Sequence, residues 1–103
     1  MPQYIIPKGD TFTTQLTITD VNGTAVDLTG GTVTMYILDR TGTVLHSEAV
    51  TSHTTPASGI TTITITAANT ATFAMGCYEY EVVTTMSDST VWTSLDGFVE
   101  VRV

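Results

Sequence analysis

Apolar and polar residues alternate along most of this chain, and turn residues interrupt the alternation at intervals of about 8 to 15 positions. Within residues 11–19, Phe12 and Ile18 share one face of an extended backbone, while mainly threonines share the other. Residues 32–39 alternate in the same way, with apolar residues at every odd position from 33 to 37. A period of two is the period of a half-buried strand, so the pattern predicts a chain built of β-strands.

Strand starts are predicted wherever the alternation resumes after a turn or a break. They are Tyr4, Thr11, Thr32, Val44, Ile60, Cys77 and Val91. Threonine makes up roughly a quarter of the sequence, and its branched Cβ favours extended backbone. About seven antiparallel strands with regular turns are typical of an immunoglobulin-like β-sandwich. We predict that all-β architecture, with a small β-barrel as the alternative.

One segment, residues 66–73, has helical character. Its alanines favour a turn of helix, and Thr66 precedes them in the position of a capping residue. Gly76 ends the segment, and Tyr78 follows at the start of a late strand. This is the setting of a tyrosine corner, in which the hydroxyl bonds back to the backbone across the connection. The sequence therefore predicts one short helical turn and structural roles for Gly76 and Tyr78.

Two irregular features accompany the strands. Residues 51–59 are rich in Ser, Thr and Pro, which indicates a surface loop. The Asp96-Gly97 pair lies within the last predicted strand, where a glycine often marks a β-bulge. We expect the loop to be exposed and the bulge to fall at this pair.

Size and charge narrow the possible functions. A chain of 103 residues has the size of one domain, so residues 1–103 are predicted to form a single immunoglobulin-like domain. Three basic against ten acidic residues give a net charge of −7, which disfavours nucleic acid and anionic membranes as partners.

No apolar run approaches the roughly 20 residues of a membrane span. The first residues do not resemble a signal peptide, and Cys77 is the sole cysteine, so we expect a chain kept in a reducing cytoplasm.

Few residues offer catalytic or metal-binding chemistry. His46 and His53 are the only imidazole bases, lie in no catalytic motif, and have no clustered partners that would hold zinc. Cys77 is expected to be a small buried thiol. The stretch from Asp20 to Gly23 begins like a calcium loop, but no acidic residue closes it, and a turn explains it better. We therefore predict no enzyme activity, no cofactor and no metal site.

Several landmarks, taken in order, resemble a known family. They are Pro7-Lys8-Gly9-Asp10-Thr11-Phe12, Ile18-Thr19-Asp20, Asn22-Gly23-Thr24, Val26-Asp27-Leu28-Thr29-Gly30, Val33-Thr34, Gly59-Ile60, Thr66-Ala67-Ala68-Asn69-Thr70-Ala71, Gly76-Cys77-Tyr78-Glu79-Tyr80-Glu81-Val82 and Gly97. In this order and spacing, the chain resembles the immunoglobulin-like domains of tailed-bacteriophage virion proteins, such as the N-terminal domain of phage upper baseplate proteins. The resemblance spans nearly the whole chain.

The resemblance implies a non-enzymatic structural protein of a bacteriophage virion, made in the host cytoplasm. Its partners would be other virion proteins, namely capsid, neck or tail and baseplate subunits, and a homo-oligomer on the particle stays open. The additional domains of a full baseplate protein have no counterpart in this sequence. We therefore expect a capsid decoration protein, a neck protein or an accessory protein of the tail or baseplate.

The candidate interface residues are Tyr4, Ile5, Ile6 and Trp92. Aromatic residues anchor interfaces, and an N-terminal arm can pair with a neighbouring chain. For Trp92, core packing is the alternative. A second hypothesis is a carbohydrate- or host-surface-binding β-sandwich module, which would need exposed aromatic residues. Four aromatic residues are expected inside instead: Phe12, Phe73, Tyr78 and Tyr80.

Overall fold

The computed structural model describes the backbone of residues 3–20 and 22–102, and the side chains of these except residues 3 and 94–96. Strands dominate the described residues, which confirms the all-β prediction. The strands are β1 Gln3–Pro7, β2 Phe12–Thr17, β3 Thr32–Leu38, β4 Val44–Val50, β5 Ile60–Ile65, β6 Gly76–Thr85 and β7 Val91–Arg102. Two short helical segments join them: a 3-10 turn, Pro56–Ser58, and the helix α1, Ala67–Thr70. Each strand begins within one residue of its predicted start.

The strands form two sheets. The larger has the order β1-β7-β6-β3-β4, and the smaller pairs β2 with β5. The prediction of antiparallel strands is wrong for one pair, because β1 runs parallel to β7, with Gln3 opposite Phe98 and Pro7 opposite Arg102. A parallel pair requires a long connection, and almost the whole chain lies between these two strands.

Both sheets contribute side chains to the hydrophobic core, because alternate residues of a strand point to the same side. In β3, which lies between β4 and β6, Val33, Met35 and Ile37 are fully buried while the intervening residues are half-buried. In β2 the buried apolar residues are four positions apart, and in β5 they are two positions apart. The core comprises Ile6, Phe12, Leu16, Ile18, Leu28, Val33, Met35, Ile37, Ile63, Ile65, Phe73, Tyr80, Val82, Val99 and Val101. Packing of these apolar side chains is the main favourable term that holds the two sheets together.

Aspartates at the first position of Asp-x-Thr triplets stabilise several turns. In the β3–β4 hairpin, the Asp39 carboxylate accepts hydrogen bonds from the Thr41 amide (2.9 Å), the Thr41 hydroxyl (2.6 Å) and the Thr43 amide (3.0 Å). These bonds favour the ionised form, so the pKa of Asp39 is lowered from its ordinary value. Asp27 and Asp88 repeat the arrangement, and their pKa values are lowered for the same reason.

The helix α1 is fastened through Thr70 rather than through Thr66. The predicted side-chain cap is wrong, because Thr66 makes no capping hydrogen bond with its hydroxyl. Its carbonyl oxygen instead accepts the amides of Asn69 and Thr70, each at 3.0 Å. The fully buried Thr70 hydroxyl donates to the Asp10 carbonyl oxygen (2.7 Å) and accepts the Gly9 amide (3.1 Å). These bonds attach α1 to the turn between β1 and β2.

The segment of residues 51–59 is mostly exposed, as predicted, but two of its residues reach inward. Gly59 is buried with φ at +72°, and a Cβ there would lie 2.5 Å from the Ile18 carbonyl oxygen, so no larger residue fits. His53 places Nε2 2.8 Å from the Gly31 carbonyl oxygen and Nδ1 2.9 Å from the Thr61 hydroxyl. The segment therefore joins the start of β3 to β5.

The β-bulge of β7 does not fall at Asp96-Gly97 as predicted. The register with β6 shifts where Val82 lies opposite Leu95 but Val83 lies opposite Thr93. Gly97 pairs regularly with Tyr80, whose side chain is buried. Directly opposed residues share a face of the sheet, so Gly97 adds no side chain to the face on which the large tyrosine ring is packed.

Candidate functional site: an exposed apolar edge of the larger sheet

The three candidate interface residues of β1 have different environments. Ile6 is 0% exposed in the core, whereas Ile5 is 46% exposed on the opposite face of the strand. Tyr4 is half-buried, with its ring centroid 5.7 Å from that of Phe12 and 5.1 Å from that of Tyr80. While β1 is paired with β7, Ile6 is therefore not accessible to a partner, and Tyr4 is accessible only in part. Among the three, Ile5 is the side chain that presents a surface.

Trp92 lies at the surface, although its position in β7 faces the core side of the larger sheet. It pairs with Thr84, which is fully buried, but Trp92 itself is 36% exposed. Further along the strand, the same face buries Val99 and Val101. The register shift in β7 puts Trp92 on this face, because one extra residue inverts the alternation.

Trp92 belongs to a stretch of β7 that has one free edge. Strand β1 covers only residues 98–102 of β7. Along the side turned away from β6, no strand or loop of the described residues forms a backbone hydrogen bond with Val91–Leu95. We call this segment the β7 open edge. Val91, its first residue, is 56% exposed.

The outward face of the larger sheet carries a second apolar feature around Phe98. Phe98 is 53% exposed and pairs with Glu79. A concavity of about 250 Å³ lies beside it, lined by Arg40, Cys77, Tyr78, Glu79 and Phe98. Cys77 is exposed, so the prediction of a buried thiol is wrong. Its partner in the register is Glu100, on the solvent side, and the residue that turns inward is the neighbouring Tyr78.

The outward face carries charged side chains of both signs near this concavity, including Arg40. Glu79 is exposed, and Glu100 is held by Arg102, whose Nε lies 3.0 Å from Oε1 and whose Nη2 lies 3.2 Å from Oε2. The bond from Arg102 lowers the pKa of Glu100. Glu79 has no ion-pair partner among the described residues. Glu79 and Glu100 are thus matched in number by Arg40 and Arg102 around the concavity.

The imidazoles singled out from the sequence have structural partners. His46 Nε2 lies 3.0 Å from a carboxylate oxygen of Glu48, and its ring packs 5.5 Å from that of Phe73. His53 is held between β3 and β5 as described above. Among the described residues, no group of three or more His, Cys, Asp or Glu side chains is placed to hold a metal ion. The described helices are also too short and too polar to cross a membrane.

The predicted structural residues lie at the start of β6. Tyr78 donates from its hydroxyl to the Ala74 carbonyl oxygen at 2.7 Å, which is the hydrogen bond expected of a tyrosine corner. Gly76 precedes it with φ at +147°, a backbone conformation that favours glycine. Both residues shape the connection between α1 and β6.

Comparison with known proteins adds no family to this description. No family model matches the chain, and no curated protein matches it. What the fold and the surface define is a class, an all-β protein of two packed sheets that exposes the β7 open edge.

Proposed function

We propose that this protein is a bacteriophage virion structural protein with an immunoglobulin-like β-sandwich fold, and that it docks by protein–protein contacts. The strand order supports the fold. Strands β4, β3, β6 and β7 match the C′, C, F and G strands of a variable-type immunoglobulin sheet, and β2 and β5 match B and E of the other sheet. The sequence resemblance to domains of tailed-phage virion proteins supports the virion assignment.

The observation that carries the docking function is the exposure of Trp92 at the β7 open edge. Tryptophan is strongly enriched among the residues that dominate binding energy at interfaces. Here it lies in β7 just before the register shift and next to the exposed Val91, and pairing with β6 holds both residues in the sheet. A rigid anchor loses little conformational entropy on binding.

The carbohydrate-binding alternative receives less support. Sugar rings stack on aromatic side chains that share one surface, and Trp92 and Phe98 are the exposed aromatic residues of β7. Their partners in β6 are Thr84, which is buried, and Glu79, which is exposed, so the two aromatics lie on opposite faces of the sheet. They do not form a common platform.

The test is to measure the number of copies of this chain per particle in purified particles of the phage whose genome encodes it. We expect the wild-type chain to co-purify at many copies per particle by quantitative mass spectrometry. Trp92→Ala should reduce its occupancy at least tenfold, whereas Phe98→Ala, a matched loss of an exposed aromatic on the other face, should change it less than twofold. Absence of the wild-type chain from particles, with the protein present in the lysate, would overturn the proposal.

A further inference from the structure

The β7 open edge differs from the other edges of the larger sheet. Exposed strand edges invite pairing with other chains, and proteins protect them with proline, lysine, β-bulges or inward-pointing charged residues. The edge strand β1 ends in Pro7. The edge strand β4 turns His46 and Glu48 toward the core side, opposite the buried Ile37 and Met35. Val91–Leu95 has the sequence Val-Trp-Thr-Ser-Leu, which includes the β-bulge between Thr93 and Leu95 but no proline, lysine or other charged residue.

The core side of the sheet is also incompletely covered at this edge. Thr84 is fully buried, but its neighbour Trp92 on the outermost strand is 36% exposed. One further strand beside β7 would cover the remaining surface of Trp92 and pair the free backbone groups of Val91–Leu95. Pairing of this kind gives affinity through the main chain and specificity through alternate side chains.

Charge indicates which kind of strand fits. Asp88 lies in the turn before the open edge and Asp96 follows it in sequence, and the chain as a whole has a charge of −7. A second copy of this chain would bring the same acidic residues to the same place and would be repelled. A segment with lysine or arginine on both sides of an uncharged centre has the complementary charge.

We propose that the β7 open edge accepts an extended segment of another protein by β-strand addition, and that this segment has an uncharged, alternating apolar centre flanked by basic residues. Five paired residues span about 16 Å of strand. The proposal deepens the proposed function, on which it rests, by naming the place and chemistry of docking.

The probe is the synthetic peptide Lys-Lys-Val-Thr-Val-Thr-Val-Lys-Lys, added to the whole chain. Trp92 is the sole tryptophan, so its fluorescence reports on this edge alone. We expect a saturable fluorescence change, together with slower amide hydrogen exchange within Val91–Leu95. A peptide with glutamates in place of the lysines should bind at least tenfold more weakly, and so should one with proline at the central valine, because proline cannot donate to a ladder.

Two variants locate the binding. Thr93→Lys places a basic residue on the open edge, and Ala49→Lys makes the same change of charge at an exposed position of the other edge strand, β4. We expect Thr93→Lys to weaken peptide binding at least tenfold and Ala49→Lys to change it less than twofold, with unchanged thermal unfolding showing that both are folded. Equal effects of the two variants, or protection of β4 instead of β7, would overturn the proposal.

Three further outcomes distinguish this proposal from self-association and from the virion assignment. A concentration-dependent dimer in sedimentation, with protection of Val91–Leu95 in the absence of peptide, would show that a second copy occupies the edge and would overturn it. Binding of the basic peptide by a chain that is absent from particles would support the edge site and refute the virion assignment. A chain present on particles that does not bind the peptide would refute the edge site alone.

Discussion

At the scale of single residues, the connection between α1 and β6 depends on one phenol. Tyr78 is half-buried against the core, and its hydroxyl reaches back four residues to the Ala74 carbonyl oxygen. The ring thus fixes both the start of β6 and the path of the chain that precedes it. A phenylalanine would keep the packing and lose only the hydrogen bond.

We expect Tyr78→Phe to lower the free energy of unfolding by about 0.5 to 1.5 kcal/mol, the usual net value of one such bond. Urea unfolding measures it. Tyr36→Phe is the matched control, because Tyr36 is also half-buried in the larger sheet and its hydroxyl has no hydrogen-bond partner among the described residues. Equal stability of Tyr78→Phe and wild type would remove the structural role assigned to Tyr78.

At the scale of elements, α1 is too short to be stable by itself, since an isolated helix needs about 12 residues or more. Its position depends on the buried Thr70 hydroxyl, which bonds to the Gly9 amide and the Asp10 carbonyl oxygen, 61 and 60 residues away. One side chain therefore couples α1 to the β1–β2 turn.

Thr70→Val removes the hydroxyl and keeps the shape of the side chain, so we expect the free energy of unfolding to fall by about 1 to 3 kcal/mol, because two partly buried hydrogen bonds to the backbone are lost. Thr72→Val is the control. The Thr72 hydroxyl is exposed and bonds only within its own turn, to the Asn69 carbonyl oxygen at 2.7 Å, and its loss should cost less than about 0.5 kcal/mol. Comparable thermal midpoints for the two variants would contradict the coupling.

At the scale of the whole molecule, acidic turns make the stability depend on pH. Asp39 has a pKa below its ordinary value because the Thr41 hydroxyl, and with it backbone amides, donate hydrogen bonds to its ionised form. Its contribution to stability is complete above the ordinary pKa of an aspartate, near 4, and is lost as the pH falls through the lowered pKa of the folded state. Asp27 and Asp88 act in the same direction.

The prediction concerns the difference between wild type and Asp39→Asn, since asparagine accepts hydrogen bonds but does not titrate. We expect the wild type to be more stable at pH 6, and the difference to shrink as the pH falls through the lowered pKa of Asp39. Urea midpoints from pH 6 to pH 2.5 measure it, and 0.5 M salt screens the changing net charge. A difference that stays constant with pH would contradict the role of the ionised carboxylate.

Features that depend on local pattern were predictable from the sequence, and features that depend on distant contacts were not. The alternation in β3 predicted its buried face, because neighbouring residues of a strand point to opposite sides. The extra residue in β7 left no local signal, yet it decides that Trp92 and Phe98 lie on opposite faces. The parallel pairing of β1 with β7 joins the two ends of the described chain, which no local pattern encodes.

The candidate surface was predictable only in part. The sequence allowed two environments for Trp92, an interface or the core, and in the structure it is partly exposed at the surface. The open edge itself follows from how far β1 extends along β7, which is a matter of register between distant segments. The exposure of Phe98 was missed, although its alternation with Val99 and Val101 on a strand is a signal that could have revealed it.

The parallel pairing of β1 with β7 has a mechanical consequence. A load that pulls Gln3 and Arg102 in opposite directions slides the two strands past each other, because each is gripped at the end far from the other's grip. All the backbone hydrogen bonds between them are then loaded together in shear. In an antiparallel hairpin pulled at its two free ends, the hydrogen bonds instead break one after another. The first and last strands thus form a clamp that resists tension along the chain.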